Sequence, residues 1–161
     1  MTEEEILAFA RGLHGVTVET ADAASGAPEA AWGDSFVYYD PPGADHEPPD
    51  RRWPFATLVV HDYAGFDESS KLDRDGVFRV NVNVGKRRFE ELLGDPPSRH
   101  DEHRVEHDYA ALDTVLPHPE YGQQAWVSVV NPGEQTSDLV RTLLTDARDR
   151  TAARRAQAGR T

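Results

Sequence analysis

The stretch VFRVNVNV at residues 77–84 places an apolar side chain at every second position. In an extended chain successive side chains leave opposite faces, so Phe78, Val80, Val82 and Val84 share one surface and Arg79, Asn81 and Asn83 the other. A helix would scatter the same residues around its axis. The alternation therefore predicts a strand with one face in the core and a polar face aimed at something definite.

Working outward, Gly85 hands this strand to KRRFEELL, where Phe89, Leu92 and Leu93 mark a short helix that stops at Gly94. Upstream, VTVET (16–20), SFVYYD (35–40) and WPFATLVVHDY (53–63) read as strands, the last apolar on both sides and hence central. The segment PPGADHEPPDRR between the second and third has little to bury and reads as an exposed loop. Downstream, residues 95–119 are polar and irregular, with a helical turn at DYAALDTVL, and AWVSVV (125–130) is the last strand. Both ends are helical: Thr2 and Glu5 form a capping box ahead of Ile6, Phe9, Ala10 and Leu13, and Leu139, Val140, Leu143, Leu144 and Ala147 stripe a terminal helix opening at Thr136. The order α-β-β-β-β-α-β-α, with hairpin-like connections, predicts an α+β fold: one mostly antiparallel sheet with helices packed on one face.

A chain of 161 residues is the size of one domain, expected over 1–150 with a basic, frayed tail at 151–161. The formal charge of −12 repels phosphate backbones and disfavours nucleic acid as a partner. Cysteine is absent, which excludes disulfides, thiolate nucleophiles and Cys-ligated metals. The acidic MTEEEILAFARG is unlike a signal peptide and no apolar run reaches membrane-spanning length, so a cytoplasmic monomer or homodimer is expected.

The runs LDRDGVFRVNVNVGKRRFEELLG (72–94) and DYAALDTVLPHPEYGQQAWVSVVNPGEQTSDLVRTLLTDA (108–147), together with WGDSFVYYD and WPFAT, resemble an actinobacterial family of unknown function. More distantly, the strand with Arg79, the strand with Trp126 and the terminal helix resemble the MmcQ/YjbR-like proteins. That second resemblance implies a frataxin-type arrangement, for which DNA binding has been suggested on shape alone. Gln123 and Gln124 replace the basic residues that usually precede the tryptophan.

Three groups of residues carry candidate chemistry. Arg79, Asn81 and Asn83, joined by Trp126 and Ser128 if the last strand presents them on the same side, would set fixed donors beside an aromatic plate, suited to a small anionic or planar ligand. Lys86, which opens the second helix with Arg87 and Arg88, would add a cation; the surrounding sequence is not a P-loop, since Val80 stands where its first glycine would fall. His100, His103 and His107 would share one face if their segment were helical and could ligate a metal, although only Val105 in residues 98–108 is aliphatic enough to pin such a helix. His118, held between Pro117 and Pro119, is a candidate acid or base. No motif calls for a cofactor. The resulting order of readings is a small-molecule or anion binding module, then a metal-dependent or acid–base enzyme, then a protein-interaction or nucleic-acid-associated adaptor.

Overall fold

The computed structural model describes residues 1–43 and 52–160. Most of the proline-rich loop expected at 41–52 lies outside the described residues. Helix α1 (Glu3–Arg11) opens with the predicted reciprocal cap, Glu5 N donating to Thr2 Oγ1 and Thr2 N to the Glu5 carboxylate. The strands are β1 (Val16–Thr20), β2 (Ser35–Tyr39), β3 (Ala56–Val59), β4 (Arg79–Asn83), β5 (Val115–Pro117) and β6 (Trp126–Val130); the other helices are α2 (Lys86–Leu93), the single turn α3 (His100–His103) and α4 (Ser137–Ala158). The six strands form one sheet in the order β1-β2-β3-β4-β6-β5, and every strand pairing in it is antiparallel. No helix among the described residues is long and apolar enough to cross a membrane.

The alternation in β4 sorts the molecule into two sides. Val80 and Val82, with Val37, Ala56, Leu58, Val127 and Val129 of the neighbouring strands, face Ile6, Leu7 and Ala10 of α1, Phe89 of α2 and Val140, Leu143, Leu144 and Ala147 of α4, all of them buried in one core. The register sets Asn81 opposite Ser128 and Asn83 opposite Trp126, so these four residues emerge on the other side together.

Two expectations need correction. β5 was not anticipated; it is a three-residue edge strand ending in proline, too short to show any period. The supposed tail is helical, because α4 runs on through Ala158, where Arg150 Nη2 donates to the backbone and side-chain oxygens of Asn83 (both 2.7 Å) and Arg155 reaches the Tyr39 carbonyl. Gly85, with φ +81°, makes this approach feasible: a Cβ there would fall 1.9 Å from Arg150 Nη1. Helix α4 opens at Thr136 as expected, without a side-chain cap; the turn leading into it is held by Asp113 from across the fold, which accepts N–H bonds from Gly133, Gln135 and Thr136 and the Thr136 hydroxyl.

Two outcomes are expected from this packing. Leu144 is 1% exposed, and Leu144→Ala should cost about 2–5 kcal/mol in urea unfolding through lost burial and the cavity left behind. The Thr136 hydroxyl, and then the backbone N–H groups, hold the Asp113 carboxyl down from 3.8 to about 2. The bonds made by its charged form therefore stabilise the fold above about pH 4 and are lost as pH falls toward 2. The Tm difference between the wild type and Asp113→Ala should hold steady from neutral pH to about 5 and close below about 4, as read by thermal melts across that series.

Candidate functional site

The sheet face opposite the helices is not an open wet surface. The segment after β3 folds back across it, bringing Tyr63, Asp67, Ser70 and Leu72 over the strands, and the turn between β5 and β6 adds His118 and Tyr121. Local bonds hold the first segment in shape: Asp62 accepts from Leu72 N (2.8 Å), Asp62 N donates to Asp73 (3.0 Å), and Tyr63 and Asp67 form a small antiparallel bridge. The Tyr63 hydroxyl donates to the fully buried carboxylate of Asp34, which also takes the Val60 N–H at 2.9 Å. Burial, reinforced by that carboxylate, pushes the Tyr63 phenol well above its ordinary range, and burial raises Asp34 as well.

Beneath this cover lies the guanidinium of Arg79, 1% exposed. Its Nη1 and Nη2 straddle the two carboxylate oxygens of Asp67 at 3.1 and 2.6 Å, Nη1 also donates to Ser70 Oγ at 2.8 Å, and Nε donates to Asn81 Oδ1 at 2.8 Å. A buried cation of this kind is tolerable only when paired and hydrogen-bonded, and here both conditions are met. Asn81 is equally committed: Oδ1 also accepts from Ser128 Oγ (2.8 Å) and Nδ2 donates to Thr57 Oγ1 (2.9 Å).

His118 stands beside this pair. The backbone N–H groups of Glu120 and Tyr121 both point at its Nδ1, each at 3.0 Å. Nδ1 is therefore the acceptor nitrogen, and the neutral ring carries its proton on Nε2. Burial first, then the charge of Arg79, holds the imidazole well below its ordinary range, so it is neutral at physiological pH. Arg79 Nη2 lies 3.3 Å from Nε2, but both are donors, and the contact is one of packing. The nearest carboxylate oxygen to that Nε2–H is Asp67 Oδ2 at 4.0 Å.

Around this polar floor opens a pocket of about 840 Å³. Phe36, Tyr38, Trp53, Phe66, Tyr121 and Trp126 supply aromatic walls, while Thr151 and Arg154 of α4 line it from the terminal helix. Tyr121 packs its ring on both His118 (centroids 4.8 Å) and Phe66 (6.0 Å). Arg52 lies over the Tyr38 ring at 3.7 Å, its charge taken up by Asp40 and Glu19.

The residues singled out in the sequence are divided by this geometry. Arg79, Asn81, Asn83 and Trp126 line the one pocket, and Ser128 lies buried behind them on Asn81. Lys86 is elsewhere, beside Gly85, Arg87, Arg88 and Arg150 in a shallow depression against α4, and Arg87 and Arg88 reach Glu91. The three histidines do not converge, because the helix they needed ends at His103 and His107 is extended. His100 is buried and bonds the Pro119 carbonyl (3.1 Å), His103 pairs with Glu106 (3.0 Å), and His107 packs on Tyr109. Among the described residues no group of three or more His, Asp or Glu is arranged to hold a metal ion. Asp67 and the aromatic walls other than Trp126 were missed; the only hint was a cluster of Phe, Asp and Ser in AGFDESS, which carries no period.

Because the Arg79 charge is neutralised inside the fold, Arg79→Ala should destabilise by about 3–5 kcal/mol in chemical denaturation by stranding the Asp67 carboxylate. The double replacement Arg79→Met with Asp67→Leu should recover most of that loss.

Over residues 1–160 the chain matches the family of unknown function DUF6194, and it belongs to that family. No curated protein and no solved structure matches it.

Proposed function

We propose, for a chain whose family brings no assigned chemistry, that it is a small-molecule binding module taking a planar ligand into the pocket on the non-helical face of the sheet. The observation that carries this reading is the pairing of an aromatic-walled cavity of about 840 Å³ with a floor of locked polar groups. Cavities of this size and composition suit flat organic molecules, whose faces stack on aromatic rings while their edges meet fixed donors and acceptors. The polar sheet face serves here as a rigid floor; the charge of Arg79 is spent on Asp67, and an anionic group on the ligand would find its cation in Arg154 at the pocket lining. A distant kinship with the MmcQ/YjbR-like proteins is part of the proposal, supported by the gathering of α1, α2 and α4 on one face of an antiparallel sheet.

An acid–base enzyme working through His118 has less support. Gaining a proton at Nδ1 would break the bonds from Glu120 and Tyr121, and losing the one on Nε2 would leave an imidazolate. A nucleic-acid adaptor has the net charge of −12 against it.

The test is a screen of flat aromatic fragments against isotope-labelled protein by NMR, with Phe66→Ala as the variant. Phe66 is 53% exposed, so its truncation should leave the fold intact. Bound fragments should shift the resonances of Phe66, Tyr121 and Trp126, and the variant should weaken them about tenfold, the loss of one ring contact of about 1.4 kcal/mol. Shifts that map away from this pocket, or a variant that binds equally well, would defeat the reading.

A further inference from the structure

The floor of the pocket holds one donor and one acceptor with unused capacity, side by side. His118 is 3% exposed, its proton resides on Nε2, and no acceptor among the described residues lies within hydrogen-bond distance of it. A buried N–H left in this state costs free energy that an incoming acceptor would recover. Beside it, each oxygen of Asp67 accepts one bond from Arg79, leaving lone pairs for a further donor. Nε2 and Oδ2 are 4.0 Å apart, and both residues line the pocket.

This donor–acceptor pair selects its complement. An amide whose N–H and C=O lie on the same edge has its N and O about 2.3 Å apart by standard bond lengths, so two slightly splayed hydrogen bonds span a 4.0 Å receptor spacing. In a lactam ring that edge is fixed in the cis geometry and attached to a flat body, which the walls of Tyr121, Phe66 and Trp126 would sandwich. An open-chain secondary amide is trans and offers no such edge, and a primary amide offers one only on a group free to twist away from its flat body. A carboxylate would meet the Asp67 charge with its own.

We infer that the ligand is a planar heterocycle bearing a lactam edge, its C=O accepting from His118 Nε2–H and its N–H donating to Asp67. This rests on the small-molecule reading above and names the class of molecule it would take. No atom of the heterocycle need be charged, which accords with a floor whose formal charges already cancel.

The experiment uses the full chain and three flat bicyclic probes: isoquinolin-1-one, which has the lactam edge; 2-methylisoquinolin-1-one, which keeps the carbonyl and loses the N–H; and isoquinoline, which lacks both. Affinities come from NMR titration, and long-range proton–nitrogen spectra of the imidazoles report where the His118 proton lies from pH 5 to 8. The expected result is a lactam that binds at least tenfold tighter than either control, with the His118 Nε2–H resonance moving downfield on binding and Nε2 protonated in the free protein. Equal binding of all three within the pocket would overturn the lactam assignment and leave the planar-ligand reading standing. A free protein with the proton on Nδ1 would overturn it as well, without any ligand. If no flat probe or fragment perturbs the pocket, both fall together.

Discussion

The arrangement depends on one buried ion pair. Arg79 leaves the middle of the sheet on the side away from the apolar core, and a guanidinium in that position must either stay in water or find a carboxylate. It finds Asp67, and to deliver that carboxylate the segment after β3 has to double back over the strands. Pairs of this kind add little net stability over an apolar contact, since desolvation consumes most of the attraction. What this pair does is couple two parts of the chain: an arrangement of the loop that buried Arg79 without a carboxylate against it would leave a stranded charge.

Folded this way, the two sides of the sheet do different work with the same strands. Val80 and Val82 are gripped by α1 and α4, while Asn81 between them bonds to Thr57 and Ser128 on its flanking strands. These three strands are thus held by packing on one side and by side-chain hydrogen bonds on the other, which fixes their register twice over. Helix α4 joins the two sides. Its first half fills the core with Leu143 and Leu144, its middle binds the end of β4 through Arg150, and Thr151 and Arg154 beyond line the pocket.

Period was readable in the sequence and partnership was not. The alternation of VFRVNVNV placed Arg79, Asn81 and Asn83 on one face, and a second alternating run, WVSVV, brought Trp126 and Ser128 to the same side. Both follow from local geometry that any extended chain must obey. Nothing local says that Arg79 meets a carboxylate twelve positions away through an irregular loop, that Asp113 holds the turn leading into α4, or that Arg150 ties α4 to β4. Those contacts depend on where the chain returns. The histidine spacing shows the converse: three and four apart would align imidazoles on a helix, but a polar segment with one aliphatic residue has nothing to hold that helix beyond its first turn.

The two amides that hold His118 have a consequence for how this cavity would behave across cellular compartments. A histidine in a binding site usually makes recognition sensitive to acidity, because its ring switches between one donor and two near neutrality. Here the second nitrogen is already occupied by the backbone, and the imidazole presents an invariant pattern of hydrogen-bonding groups through the mildly acidic range. Any response of the pocket to mild acidification would therefore have to originate elsewhere than in this imidazole.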